Sequence, residues 1–222
     1  MIDVQHVVPS PPAAPDHTVP DEDDAGGLTR SGLFRLISRG GAGAAGLSLI
    51  MNGHALAAPA PSVATDLTIL EYALTLEYLG AAFYDSALRQ AKLRGESRDV
   101  ATKFRAHERA HVVFVRNTIS TLGGRPHASQ RFDFGAATRS EQAFLRTSAM
   151  LEEMCVQTLN GAAPLVSTPV LIGASKLVSV EARQATWVRN ILGRLPAPFT
   201  FNPFLTAAES QARLRATGFV RS

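Results

Sequence analysis

The chain has 222 residues, of which 45% are hydrophobic and 18% are charged, and its formal net charge is +3. This length and composition fit one globular domain plus a tail, and they exclude a collagen-like or wholly disordered chain. No apolar run reaches the roughly 18 residues of a membrane-spanning helix, and a single cysteine, Cys155, excludes an internal disulfide.

The first 65 residues are predicted to be a disordered lead-in that ends in an export signal. Residues 1–28 are rich in Pro, Ala and Asp and show no apolar period. A segment with Arg30, Arg35 and Arg39 follows, then a Gly/Ala-rich apolar stretch over 40–51 and an A-x-A pattern that ends at Ala57. This layout is typical of an export signal, and we expect cleavage near Ala57.

The Gly/Ala-rich centre and the basic flank resemble a twin-arginine signal, but Arg30 is followed by Ser31, so the motif is degenerate. We therefore expect a periplasmic or extracellular protein with no stable membrane insertion after processing. The alternative is a cytoplasmic protein with a flexible tail.

From Asp66 onward the spacing of apolar residues becomes helical, which predicts an all-α domain over 66–222. Four long helices are expected, at about 67–91, 99–122, 140–161 and 168–192, arranged as an antiparallel four-helix bundle. Asp66 is the predicted N-cap of the first helix, and Leu171 is placed on the buried stripe of the fourth. After Pro196 we expect an extended stretch and a short helix, at about 206–216, held against the bundle by Phe201 and Phe204.

Each long helix carries one glutamate in the middle of its apolar stripe, namely Glu77, Glu108, Glu152 and Glu181. Burying an ionised carboxylate costs several kcal/mol unless it is paired or bound to metal, and no arginine lies on these stripes. His111 lies three residues after Glu108, and Gln184 lies three residues after Glu181. Iron and manganese accept carboxylate and imidazole ligands together. The sequence therefore predicts a metal site of Glu77, Glu108, His111, Glu152, Glu181 and Gln184, while Cys155 is expected to be a small core residue.

Several segments resemble the ferritin-like domain family that includes the desiccation-related proteins of plants and bacteria. The similarity covers about residues 66–205 and is carried, in order, by LTLEYL at 74–79, AFY at 82–84, HERAH at 107–111, LEE at 151–153, NGAAPL at 160–165 and VEAR at 180–183. It implies a ferritin-like bundle that holds iron or manganese. The family's fourth helix reads Glu-Ala-Arg-His, so the position of its histidine falls on Gln184. An amide oxygen is a poorer ligand than imidazole, which makes the second of two ions doubtful.

Three functions follow as hypotheses. The first is an exported metal protein that oxidises Fe(II) or handles peroxide in stress or desiccation protection. The second is a metal-free, non-catalytic stress or envelope protein, for which Gln184 is the support. The third is a DNA-protecting ferritin-like protein, because residues 58–222 carry a net charge of +6. Basic residues recur at helical spacing rather than in a run, so no nucleic-acid partner is expected. Whether the protein is an enzyme, and whether it forms a homodimer, stays open.

Overall fold

A computed structural model describes residues 61–221. The predicted disordered lead-in, export signal and cleavage near Ala57 lie outside these residues. The described part contains four long helices, α1 (Val63–Gln90), α2 (Gly95–Thr121), α3 (Glu141–Ala162) and α4 (Thr168–Ile191), and a short helix α5 (Ala207–Thr217). Two-residue strands β1 (Arg131–Phe132) and β2 (Val220–Arg221) pair antiparallel. The all-α prediction is confirmed.

The helices form two hairpins, α1 with α2 and α3 with α4, joined by a long connection that runs beside α1. His127, just after α2, contacts Glu71 and Thr75 near the start of α1. At the other end of the connection, Thr138 bonds Gln90 at the end of α1. The connection therefore runs the length of α1, and α3 starts where α1 ends. As a result, α2 and α3 run opposite to α1 and α4.

The start of α1 differs from the prediction. Ser62 is the N-cap, and its hydroxyl accepts a hydrogen bond from the Thr65 backbone N–H at 3.1 Å. Asp66 lies inside the first turn, where its carboxylate accepts hydrogen bonds from the Ser167 backbone N–H at 2.8 Å and hydroxyl at 2.5 Å. Asp66 thus ties the start of α1 to the start of α4, a tertiary role that a local capping pattern does not reveal.

Two other expectations are wrong. Leu171 is 39% exposed, and the neighbouring Val170 is buried instead, because α4 is rotated by one residue at its start. Phe201 is 88% exposed and Phe204 is 48% exposed, so they do not hold the C-terminal segment. Leu205 holds the segment against the bundle instead. Its side chain is buried, and its backbone N–H donates to the Gln157 carbonyl at 2.9 Å.

The apolar interior is divided into two clusters, one on each side of the four glutamates. One cluster includes Phe83, Phe104 and Phe144, toward the end of the bundle where α3 begins. The other includes Leu74 and Ile119, toward the opposite end. Each glutamate therefore lies between two apolar layers that keep water away from it. Among residues 61–221, no helix combines the length and apolar character that crossing a membrane requires.

A candidate metal centre

The bundle brings all six predicted ligands into its interior. The exposed fractions are 1% for Glu77 and Glu181, 3% for Glu108 and Glu152, 8% for His111 and 2% for Gln184. Each carboxylate comes from a different helix, since Glu77 is on α1, Glu108 on α2, Glu152 on α3 and Glu181 on α4. Four buried acids on four helices require compensation by protons, hydrogen bonds or bound cations.

Four of the six residues meet at one point. Glu77, Glu108, His111 and Glu181 each offer one ligand atom, and these atoms lie within 4.8 Å of one another. His111 Nδ1 is 2.9 Å from Glu181 Oε1, 3.4 Å from Glu77 Oε2 and 4.0 Å from Glu108 Oε1. Three carboxylates and an imidazole form a donor set suited to iron or manganese.

Within this group, several buried atoms have no hydrogen-bond partner among the described residues. They are both carboxylate oxygens of Glu77, Glu181 Oε1 and His111 Nδ1. His111 Nδ1 is therefore close to the carboxylate oxygens, but the angles at these contacts are not those of hydrogen bonds. Leaving a buried polar atom unpartnered costs about 1–3 kcal/mol, and more if it is charged. A divalent cation would satisfy all of these atoms at once, so the residues fit a metal ion.

The remaining two residues, Glu152 and Gln184, are fully hydrogen-bonded. Glu152 Oε1 accepts a hydrogen bond from the Tyr84 hydroxyl, which also lies 2.6 Å from the Ser148 hydroxyl. Glu152 Oε2 accepts from Gln184 Nε2 at 3.0 Å, and the same amide nitrogen donates to Glu108 Oε1 at 2.9 Å. Gln184 faces the bundle axis, as its position one turn from Glu181 predicts. Its oxygen does not point to the carboxylates, however, because it lies 2.7 Å from His107 Nδ1.

Burial controls the ionisation of the centre. It raises the pKa of Glu108 and of Glu181 well above the ordinary value of 4.5, and the charges of neighbouring carboxylates add to this effect. Burial also raises the pKa of Glu152, although hydrogen bonds from Tyr84 and Gln184 oppose the shift. Burial alone lowers the pKa of His111, but the adjacent Glu77 and Glu108 carboxylates outweigh it and the net shift is upward. The metal-free centre thus favours bound protons.

Gly80 leaves the room that Glu108 occupies. A Cβ at this position would lie 2.7 Å from Glu108 Oε2 and 3.1 Å from its Cδ. Beside them is a cavity of about 20 Å³, lined by Glu108, Glu152, Glu181 and apolar side chains of α1 and α3. That volume is about the size of one water molecule.

A groove of about 350 Å³ on the α2–α4 face opens toward the centre. It is mainly apolar, and Phe104, Ala110, Trp187 and His107 line it together with His111 and Gln184. The His111 side chain is 10% exposed, whereas those of Glu77 and Glu181 are 1% exposed. Of the four clustered residues, His111 is therefore the most accessible to a small molecule from outside.

A family model described as a ferritin-like domain matches residues 65–194, which is more than half of the chain. The chain belongs to the ferritin-like domain family. The resemblance drawn from the sequence motifs is therefore confirmed. A comparison with curated proteins gave no match. Within this ferritin-like domain, the buried carboxylate–histidine group is compatible with a metal site.

Sequence reasoning missed three contributors to the centre. Tyr84 lies seven residues after Glu77, which places both on one face of α1, but its bond to Glu152 could not be read from that spacing. His107 lies one turn before His111 on α2, and its bond to Gln184 depends on the packing of α2 against α4. Gly80, within an otherwise regular helix, was a detectable signal of close approach.

Proposed function

We propose that this protein holds one or two iron or manganese ions in its bundle and uses them in Fe(II) oxidation or peroxide reduction during stress or desiccation protection. The single observation that supports it most is the set of unpartnered buried atoms on Glu77, His111 and Glu181. Such a set costs stability in a purely structural bundle and is explained by a bound cation.

In this proposal Glu77, Glu108, His111 and Glu181 hold an ion, with Glu152 and Gln184 beside them. A bound redox ion supplies the one-electron M(II)/M(III) chemistry that carboxylate and imidazole side chains lack. The chain itself orients the ligands and excludes water. Tyr84 fixes Glu152 by donating a hydrogen bond, and Gly80 leaves space for Glu108. The α2–α4 groove gives a small neutral oxidant, such as peroxide, a route to His111.

Metal analysis of the protein purified without chelator tests this proposal. We expect about one or two equivalents of iron or manganese, and a melting temperature that rises when either metal is added to the metal-free protein, because a ligand that binds only the folded state stabilises it. Metal well below one equivalent, together with an unchanged melting temperature, would contradict the proposal.

Activity is tested separately with the metal-loaded protein. We expect it to accelerate the loss of Fe(II), or of hydrogen peroxide with Fe(II) as the reductant, above the rate of the free metal. A Glu77→Gln variant serves as the matched control, because it keeps the side-chain shape while weakening a carboxylate ligand. Equal rates for the parent and Glu77→Gln would show that the centre does not take part.

A second candidate is a metal-free structural protein, favoured by the hydrogen bonds that satisfy both ends of the Gln184 amide. It predicts that Glu181→Ala leaves the fold as stable as before or more stable, since an unpartnered buried oxygen is removed. The metal proposal predicts that this change lowers bound metal and metal-dependent stability together. Export to the periplasm or outside the cell, and homodimer formation, remain predictions from the sequence.

A further inference from the structure

The six residues of the centre form two halves that share Glu108 and differ in hydrogen bonding. Glu77, His111 and Glu181 have unpartnered atoms, and their ligand atoms cluster with one from Glu108. In Glu152 and Gln184, by contrast, every side-chain oxygen and nitrogen has a partner. Buried atoms without a hydrogen-bond partner indicate where a cation can bind, and they lie in the half that contains Glu77, His111 and Glu181.

Gln184 turns its amide NH₂ group, which cannot bind a cation, toward the carboxylates. Its amide nitrogen carries two hydrogens, and these point at Glu108 Oε1 and Glu152 Oε2 over 2.9 and 3.0 Å. The opposite assignment would set the amide oxygen against two carboxylate oxygens at the same distances, which is repulsive when either is ionised. The donor orientation is therefore the chemically consistent one when these carboxylates are deprotonated, as metal binding requires.

His107 holds this orientation from the other side, where its Nδ1 lies 2.7 Å from Gln184 Oε1. His107 packs beside Phe104, with the ring centroids 6.4 Å apart and the rings nearly parallel. For Gln184 to offer its oxygen to an ion, the amide must turn over and lose its hydrogen bonds to both carboxylates. Its NH₂ group would then face His107 Nδ1, which accepts only in the tautomer that carries its proton on Nε2.

We infer that the centre binds a single ion, held by Glu77, Glu108, His111 and Glu181, and that the Gln184 amide, fixed by His107, closes the second position with a hydrogen-bond donor. In this arrangement, the amide nitrogen donates to both Glu108 and Glu152, the two carboxylates that would be available to a second cation. The inference rests on the proposed function, since it specifies how many ions the same centre holds.

The test is a titration of the metal-free protein with Mn(II), read by bound-metal analysis and by electron paramagnetic resonance. We expect about one equivalent and the spectrum of an isolated Mn(II) ion. Gln184→His, which supplies an imidazole of similar size, is expected to bind about two equivalents and to give the spectrum of a magnetically coupled pair. Gln211→His, at an exposed position on α5, is the matched control and should behave like the parent.

The outcomes separate this inference from the proposed function. Binding of neither Mn(II) nor, in a parallel anaerobic titration, Fe(II) by the parent would overturn both. Two equivalents with a coupled spectrum in the parent would overturn the single-ion inference and leave the proposed function standing. One equivalent in the parent and no gain in Gln184→His would show that Gln184 does not limit the count. If Gln184→His does not fold, Gln184→Glu, which keeps the side-chain shape and adds a carboxylate ligand, carries the same expectation.

Discussion

Two halves of one centre, built from similar side chains, show opposite states of hydrogen bonding. Glu77 on α1 has no partner for either carboxylate oxygen, while Glu152 on α3 has partners for both. Both side chains are almost fully buried, so burial does not explain the difference. The difference comes from the neighbours, because Tyr84 and Gln184 donate hydrogen bonds to Glu152. His111 Nδ1 lies 3.4 Å from Glu77, but no donor among the described residues makes a hydrogen bond to Glu77. Two carboxylates that are equally buried can therefore differ in whether their oxygens have hydrogen-bond partners, because the residues around them differ.

The largest expected effect is on metal affinity. Glu77→Gln and Glu181→Gln should each weaken Mn(II) binding by more than about 100-fold, since each removes a carboxylate from the half with unpartnered atoms. Glu152→Gln should weaken it by about 10-fold, at the low end of the effect of residues that support ligands. Titration calorimetry measures all three. Equal losses of Mn(II) affinity in the three variants would show that the two halves do not differ in metal binding.

The next effect is a dependence of metal-free stability on pH. The folded-state pKa values of Glu108, Glu152 and Glu181 are raised above 4.5 by burial, and that of His111 is raised above 6.5 by its carboxylate neighbours. At these groups the folded state then binds more protons than the unfolded state, so their contribution to stability is fullest below about pH 4.5 and falls as pH rises through the raised values.

Bound metal should reverse this trend, because the ligands must be deprotonated to bind it. Urea unfolding at several pH values between about 5 and 8, with chelator and with Mn(II), measures both slopes. The stability of the metal-free protein should fall with pH, and the increment from Mn(II) should grow. A metal-free protein that gains stability over this range would show that other groups dominate.

A matched pair of substitutions tests whether the carboxylate of each half stabilises or destabilises the metal-free protein. Glu77→Met removes two unpartnered oxygens and should stabilise the fold by about 1–3 kcal/mol. Glu152→Met removes the acceptor for Tyr84 and Gln184 and should destabilise it by a similar amount. Urea unfolding in chelator gives both values. If both substitutions stabilise the protein, or both destabilise it, the proposed difference between the halves is wrong.

The smallest expected effect concerns Gly80, which adjoins the carboxylate that both halves share. Helix propensity alone predicts that Gly80→Ala stabilises α1 by about 1 kcal/mol. The added Cβ would lie 2.7 Å from Glu108 Oε2, so we expect a net destabilisation of about 1–2 kcal/mol and weaker Mn(II) binding.

Gly173→Ala on α4 is the control, since its Cβ would meet only the ring of the partly exposed Phe114, at 3.0 Å. This change should be neutral or stabilising. A stabilised Gly80→Ala variant with unchanged metal affinity would show that Glu108 can move aside without cost.

The sequence by itself determined the four helices, their approximate bounds and the inward position of the six candidate ligands. Apolar periodicity carries this information because one face of each helix must be buried, and a glutamate on that face is buried with it. Local signals also agree with the bounds of α3, since Ser140 is its N-cap and Pro164, which cannot continue a helix, follows its end. These features depend on residues within a turn or two of one another.

Tertiary structure decided which of the buried groups are paired. The partners of Glu152 come from α1 and α4, and the partner of Gln184 Oε1 comes from α2, so no spacing along one helix encodes them. The same reason explains the errors at Asp66, Phe201 and Phe204, whose environments depend on distant segments. Periodicity fixes the direction of a side chain, but a hydrogen bond needs atoms of two helices placed within about 3 Å, which only the packed bundle specifies.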